Sequence, residues 1–533
     1  MFDVLIKGGR VFDGSGNPWF FGDIGIVEDT IKAVGRLNGA CGKVEIRTGG
    51  LAVAPGFVDI HTHSDAQLLI QGEAHSHVRQ GVTTDVIGHC GTSLAPITDA
   101  LVEYYKKQRL ADLPGLEIDW RTMGQYLAKL ERLGVSINVV PLVGQGTVRG
   151  AVMGFEERPA TPEELEKMRS LVREAMADGA FGLSTGLIYV PGCYAQPDEV
   201  LELVKTTAEC GGVYCTHVRG EGDPLFEAYA EAIEAGAKAG ISVEIAHCKV
   251  SGRHMWGVST KSMGMLDEAR AQGVEVTGDQ YPYNAGGIGL GALVPPWAHI
   301  GGQAAYLKRL ADPAAREKMK QEMINGVPGW SSVYKGLGWE NALISACPDK
   351  SLESRTIAEV AKSRGKDDWD TAFDLLLEFK GRLGLVVSSI GDEDIERIMR
   401  HPAVMVGSDS SGLAIEGPLA TGKPHPRAFG TYARVLGRYV REKKVLTLQE
   451  AIRKMTSMPA QKMRLFDRGL LRPGLKADIV VFNPDTIIDR ATYANPFQYP
   501  VGVEHVFVNG QETVRKGEHL GTKAGKVLRM NRR

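Results

Sequence analysis

In Ala54-Pro-Gly-Phe-Val-Asp-Ile-His-Thr-His-Ser-Asp65, two imidazoles stand one residue apart, close to a carboxylate. Residues two apart on a strand share a face, so Asp59, His61 and His63 are predicted to converge while Phe57, Val58 and Ile60 supply apolar packing. Such a face can hold a divalent metal. Four further donors end later strand-like runs: Cys90 in Gly88-His-Cys-Gly91, His217 in Tyr214-Cys-Thr-His-Val-Arg219, His247 in Glu244-Ile-Ala-His-Cys-Lys249 and Asp409 in Val406-Gly-Ser-Asp-Ser-Ser411. Singly, each has a plain structural reading, as a hydrogen-bonded core histidine, a packed thiol or a turn carboxylate. Together they do not, because packing has no need of sulfur, nitrogen and oxygen donors at the same end of separate strands. The mixture suits zinc, with a coordination position left for water.

Positioning six donors from distant segments needs a closed framework. Apolar runs at 57–63, 85–88, 137–142, 181–184, 213–217, 243–247, 274–279 and 404–409 alternate with amphipathic stretches, the rhythm of an α/β chain. Eight such strands predict a (β/α)8 TIM-type barrel, whose reactive groups belong at the carboxyl ends of its strands. Helices are expected at Thr161 to Asp178, with Thr161 as cap and Pro162 in the first turn, and at Leu225 to Ala239. Residues 1–53 and 470–533 hold short alternating strands broken by glycines, too few at either end for a stable sheet alone. They are expected to pair into one small β-sandwich domain, leaving 54–469 for the barrel. The Gly-, Pro- and Trp-rich stretch at about 285–345 reads as an insertion near the barrel mouth.

Composition narrows the partners. The 533 residues are 43% hydrophobic and 24% charged, with 62 Lys plus Arg against 64 Asp plus Glu, a net charge of −2. That balance provides no drive toward nucleic acid or an anionic membrane, so the expected partner is a small molecule. Met1 to Gly9 alternates like a strand, without the basic start and apolar run of a secretory leader. Seven cysteines in so long a chain predict thiols in a reducing compartment, hence a cytoplasmic protein.

The pattern resembles the amidohydrolase superfamily, and within it the N-acyl-D-amino-acid deacylases (D-aminoacylases). The likeness covers nearly the whole chain. It rests on Ala54-Pro-Gly-Phe-Val-Asp-Ile-His-Thr-His63, Gly-x-Cys-Gly-x-Ser-Leu-Ala-Pro at 88–96, Ser184-Thr-Gly-Leu-x-Tyr189, Tyr281-Pro-Tyr283 and Pro424-His-Pro-Arg427. The resemblance implies that Cys90 replaces the carboxylated lysine of other two-metal relatives. It further implies a tight zinc site at Cys90, His217 and His247, and a weaker second position facing His61, His63 and Asp409. By the same similarity Lys249 and Tyr281 contact substrate, Tyr189 lines the pocket, Arg427 forks onto the substrate carboxylate and Asp409 is the general base. Two departures stand out. Gly287 follows Ala285-Gly286 where a hydroxyl residue is expected, and Cys248 stands where relatives often carry histidine. The expected reaction is zinc-dependent hydrolysis of an N-acyl-D-amino acid. Cyclic-amide hydrolysis of a hydantoin or dihydropyrimidine is the nearest rival, but it predicts a bridging lysine after the fourth strand, and Phe181-Gly-Leu-Ser-Thr-Gly186 has none. A scaffold without catalysis would have had no reason to keep six donors.

Overall fold

The computed structural model describes every residue except 108–112, 114, 328, 329, 331 and 531–533. Eight parallel strands lie at its centre: β1 (Phe57–Asp59), β2 (Val82–Ile87), β3 (Asn138–Pro141 continued by Val143–Gly144), β4 (Gly182–Gly186), β5 (Val213–His217), β6 (Val243–Ile245), β7 (Val276–Gln280) and β8 (Val404–Val406). They pair in sequence order, β1 to β3 in one sheet and β3 to β8 in another. The third strand serves both sheets because it is interrupted at Leu142: its first half pairs with β2 and its second with β4. At the other seam Thr62 bridges Ser410 in parallel, with His63 N donating to Ser410 O at 2.7 Å and Asp409 N to His61 O at 2.9 Å. The first and last strands are thereby tied just beyond their carboxyl ends, where the donor residues sit.

The strands are almost wholly buried on both faces, which is why they read as apolar runs with little alternation. The intervening helices carry the expected signals. Thr161 and Glu164 form a reciprocal capping box at the start of Pro162–Ala177, which turns Met168, Val172 and Met176 inward. The helix Leu225–Ala239 stops at Gly240, whose φ of 62° supplies a left-handed cap.

Both chain ends feed one nine-stranded sheet. Ala52–Pro55 joins them, pairing parallel to Phe2–Val11 and antiparallel to Ile479–Phe482. Its own apolar core includes Ile6, Ile24, Val53, Ile479 and Phe507. Residues 531–533 of the expected terminal unit lie outside the described residues.

Between β7 and β8 stands a three-stranded antiparallel sheet, Gly286–Gly289, Ala342–Ala346 and Gly384–Val387, and the same stretch includes the helices Gly302–Ala311, Pro313–Asn325, Ile357–Arg364 and Asp368–Glu378. It has a separate core running from Leu290 to Val387. The insertion is therefore longer than the 285–345 stretch its composition marks. Its second half, built on Ile357–Arg364 and Asp368–Glu378, is ordinary amphipathic helix and carries no Gly, Pro or Trp cluster to betray it. Positions 328, 329 and 331 of the expected insertion lie outside the described residues.

Candidate metal centre

The loop after β2 shows why a Gly-x-Cys-Gly motif is needed. A Cβ on Gly88 would stand 2.2 Å from Leu142 O, and one on Gly91 would stand 2.5 Å from Gly186 N. Backbones from β3 and β4 press on both sides of Cys90, so only glycines fit beside it. Cys90, His247 and Asp409 all adopt positive φ, at 51°, 37° and 49°. Non-glycine residues rarely do so, and such conformations cluster where a site is held by its surroundings. Here the turn comes directly at the strand ends.

The result is two overlapping sets of donors. Cys90, His217 and His247 bring one ligand atom each within 4.8 Å of one another, and so do His61, His63, Cys90 and Asp409. Cys90 belongs to both. Its Sγ lies 3.5 Å from His247 Nε2 and 3.4 Å from His61 Nε2. Two tetrahedral ligands of one zinc, a sulfur and a nitrogen, stand roughly 3.6 Å apart. His217 Nδ1 is 2.8 Å from His247 Nε2, and His217 Nε2 is buried with no hydrogen-bond partner. Burial pushes the His217 and His61 pKa values down, which keeps the rings neutral and their lone pairs free. The same burial pushes the Cys90 thiol well up, so a thiolate there needs a cation beside it. The donor set fits a divalent metal of zinc's character.

Two carboxylates orient the rings. Asp279 Oδ2 accepts from His61 Nδ1 at 3.2 Å, leaving Nε2 toward Cys90 and Asp409. Glu221 Oε1 lies 3.0 Å from His247 Nδ1 and 2.5 Å from Lys249 Nζ. Burial raises the Glu221 pKa, yet Lys249, His217 and His247 together hold it well below the usual range. Donation from Nδ1 to a carboxylate sets the tautomer and orientation of His61, whereas His247 Nδ1 stands 2.7 Å from Lys249 Nζ as well as 3.0 Å from Glu221. Neither Glu221 nor Asp279 was expected from the motifs. The available signals were Asp279 at a strand end and Glu221 four residues past His217.

Asp59 does not share the face of His61 and His63. The strand ends at Asp59, the alternation stops there, and the carboxylate turns instead toward His77 and Asp85. Asp59 Oδ1 accepts from Ser408 N at 2.9 Å.

A cavity of about 540 Å³ opens beside the donors and is lined by His217, His247, Lys249, Tyr189, Tyr281 and Arg427 among others. The Tyr189 ring meets His217 edge-on at 5.1 Å. Lys249 Nζ and the Arg427 guanidinium lie 5.6 and 4.7 Å from the Tyr281 ring centre, forming a cationic corner. Burial pushes the Tyr281 phenol up to about 12, so it stays a hydrogen-bond donor. Arg427 Nη1 is 2.8 Å from Asp409 Oδ2. Burial would raise the Asp409 pKa, but Arg427 and His61 hold it well below the usual range. Gly287 faces this corner, where a Cβ would stand 3.4 Å from Arg427 Nη2. Cys248 is in neither donor set, its Sγ donating to Ile245 O at 3.4 Å.

Comparison with known proteins agrees with this geometry. The amidohydrolase family model matches residues 46–514. The D-aminoacylase of Alcaligenes xylosoxydans xylosoxydans is 34% identical over 538 residues, covering 99% of this chain and 97% of that protein. Among solved structures, a D-aminoacylase crystal structure superposes with a TM-score of 0.83 at 33% identity, over 99% of this chain and all of that one. The N-acyl-D-glutamate deacylase from Bordetella bronchiseptica, solved with zinc and a phosphonate mimic of the tetrahedral intermediate, does so with a TM-score of 0.83 at 31% identity and the same coverage. The cysteine-centred donor set, the fold and these likenesses agree that the chain belongs to the amidohydrolase family, in its N-acyl-D-amino-acid deacylase branch.

Proposed function

We propose that the eight strands form a (β/α)8 barrel and that the protein is a zinc-dependent hydrolase of N-acyl-D-amino acids. Cys90, His217 and His247 would hold the tight metal, and His61, His63 and Asp409 would face a second, weaker position that shares Cys90. Bound there, zinc supplies a Lewis acid for the amide carbonyl and a water whose pKa falls toward ~7.

The chain's own residues supply the rest. Asp409, 2.8 Å from Arg427 and 3.0 Å from His63, belongs to the donor set with His61, His63 and Cys90 and lines the cavity, where a carboxylate can take the water proton. The same carboxylate then delivers it to the departing amine, so one group serves as base and acid. Arg427 is ion-paired with Asp409 through Nη1 but makes no hydrogen bond from that atom, and Lys249 and Tyr281 flank it. Together they suit a substrate α-carboxylate, which a guanidinium can grip with two parallel bonds. With the acyl carbon at the metal and the α-carboxylate at that corner, the two enantiomers place their side chains differently against Tyr189. The partner is therefore a small molecule.

One observation carries this reading: a cationic corner of Lys249 and Arg427 lines the same cavity as the donors His63, His217, His247 and Asp409. A panel of N-acetyl-D- and N-acetyl-L-amino acids, run on zinc-loaded protein, tests it. Free amino acid is expected from the D series with at least about 100-fold preference. Equal rates on both series, or release only from a hydantoin, would remove the proposal.

A further inference from the structure

A second cavity, of about 810 Å³, also reaches the donor cluster, with His63, Cys90, Asp409 and Arg427 in its wall. The two spaces share His63, Ile188, Tyr189, Gly287, Ile288, Asp409 and Arg427, so they meet at the reacting centre. Their linings are of different chemistry. The smaller one carries Glu221, Asp223, Glu227 and Lys249 besides Asp409 and Arg427. Among the described residues lining the larger, only Asp65, Asp409 and Arg427 bear full charges besides its histidines. Its walls are mostly uncharged, with a large apolar share beside hydroxyl and amide side chains: Leu94 and Phe155 come from loops and Tyr104 from the helix Asp99–Lys107, and Ala292, Val294 and Leu385 come from the inserted unit. Tyr104 and Phe155 pack ring to ring at 4.4 Å.

A linear amide points its two halves in opposite directions from the carbonyl carbon. If the amino-acid half is anchored at Lys249, Tyr281 and Arg427, the acyl half must leave through the larger cavity. An acetyl group would fill little of it, and apolar walls that size are suited to hydrocarbon. Resting on the hydrolytic reading above, we infer that this chain acts on N-acyl amino acids with medium-length or bulky apolar acyl groups, taken into the cavity between the barrel loops and the inserted unit. In that hydrolysis the water oxygen bonds to the acyl carbon, the C–N bond breaks, and the water proton goes to the departing amine as the carboxylate is released.

The test is a chain-length series. Zinc-loaded enzyme is assayed on the N-acetyl, N-butyryl, N-hexanoyl and N-octanoyl forms of one D-amino acid. Burying each methylene should raise kcat/KM by about fourfold in the early steps, with at least about 100-fold between acetyl and octanoyl. Ala292→Trp places an indole in the cavity and should lower the octanoyl-to-acetyl ratio at least tenfold. A flat or falling series, or an Ala292→Trp ratio equal to the parent's, overturns the inference while leaving N-acetyl hydrolysis standing. Failure to hydrolyse any member overturns the hydrolytic reading along with it.

Discussion

Two clusters in this molecule combine histidine with aspartate. One, around Cys90, opens onto both cavities; the other, Asp59, His77 and Asp85, touches neither. In the sealed cluster the hydrogen bonding is largely internal: Asp85 accepts from His77 Nδ1 at 2.9 Å and from Ser64 Oγ at 2.8 Å, and His77 Nε2 lies 3.1 Å from Ser410 Oγ. In the open cluster His217 Nε2 has no such partner, the central donor is a soft thiol, and cationic side chains face it. Ligand-type residues alone therefore do not define a site. What separates the two is access, a soft thiol donor and a place for the charge of a substrate.

That contrast can be broken by substitution. Asp409→Asn should cut turnover by about 10²–10⁴ while zinc stays at Cys90, His217 and His247; near-parental kcat with zinc in place would take Asp409 out of proton transfer. Glu221→Gln frees the His247 ring and should weaken zinc affinity or activity by about 10–100-fold, read by chelator competition. Arg427→Lys keeps the charge but loses the fork, so KM should rise about tenfold or more with a smaller change in kcat. In the sealed cluster the order reverses. Asp85→Asn should leave kcat/KM per folded molecule within about twofold, yet lower the melting temperature, because it removes one partner of a buried pair.

The sealed cluster also has a pH signature. Burial raises the Asp59 pKa to about 7, against roughly 4 in an unfolded chain. The folded state thus binds more protons, so this contribution to stability is full below about pH 4 and lost as pH rises through about 7. Melting temperatures of Asp59→Asn should consequently fall less steeply between pH 5 and 7 than those of the parent. An identical slope would show that Asp59 does not titrate in that window.

Local signals were legible in the sequence wherever local chemistry decides the structure. The capping box at Thr161 and Glu164 and the strand-end positions of His217 and Asp409 follow from neighbours within a few residues. The assignment of Asp59 failed because strand alternation was carried past the point where β1 ends. Glu221 and Asp279 were missed because their partners, His247 and His61, lie 26 and more residues away in sequence and only the closed fold brings them near. The inserted unit was underestimated because its later helices look like any others.

The central claim is that Cys90 anchors a metal shared between two donor sets. The most direct measurement is zinc per chain in purified parent and Cys90→Ala proteins after dialysis against a weak chelator. The parent is expected to hold at least one zinc per chain and the variant under about a tenth of that, with both melting cooperatively. Equal zinc in the two proteins would contradict it.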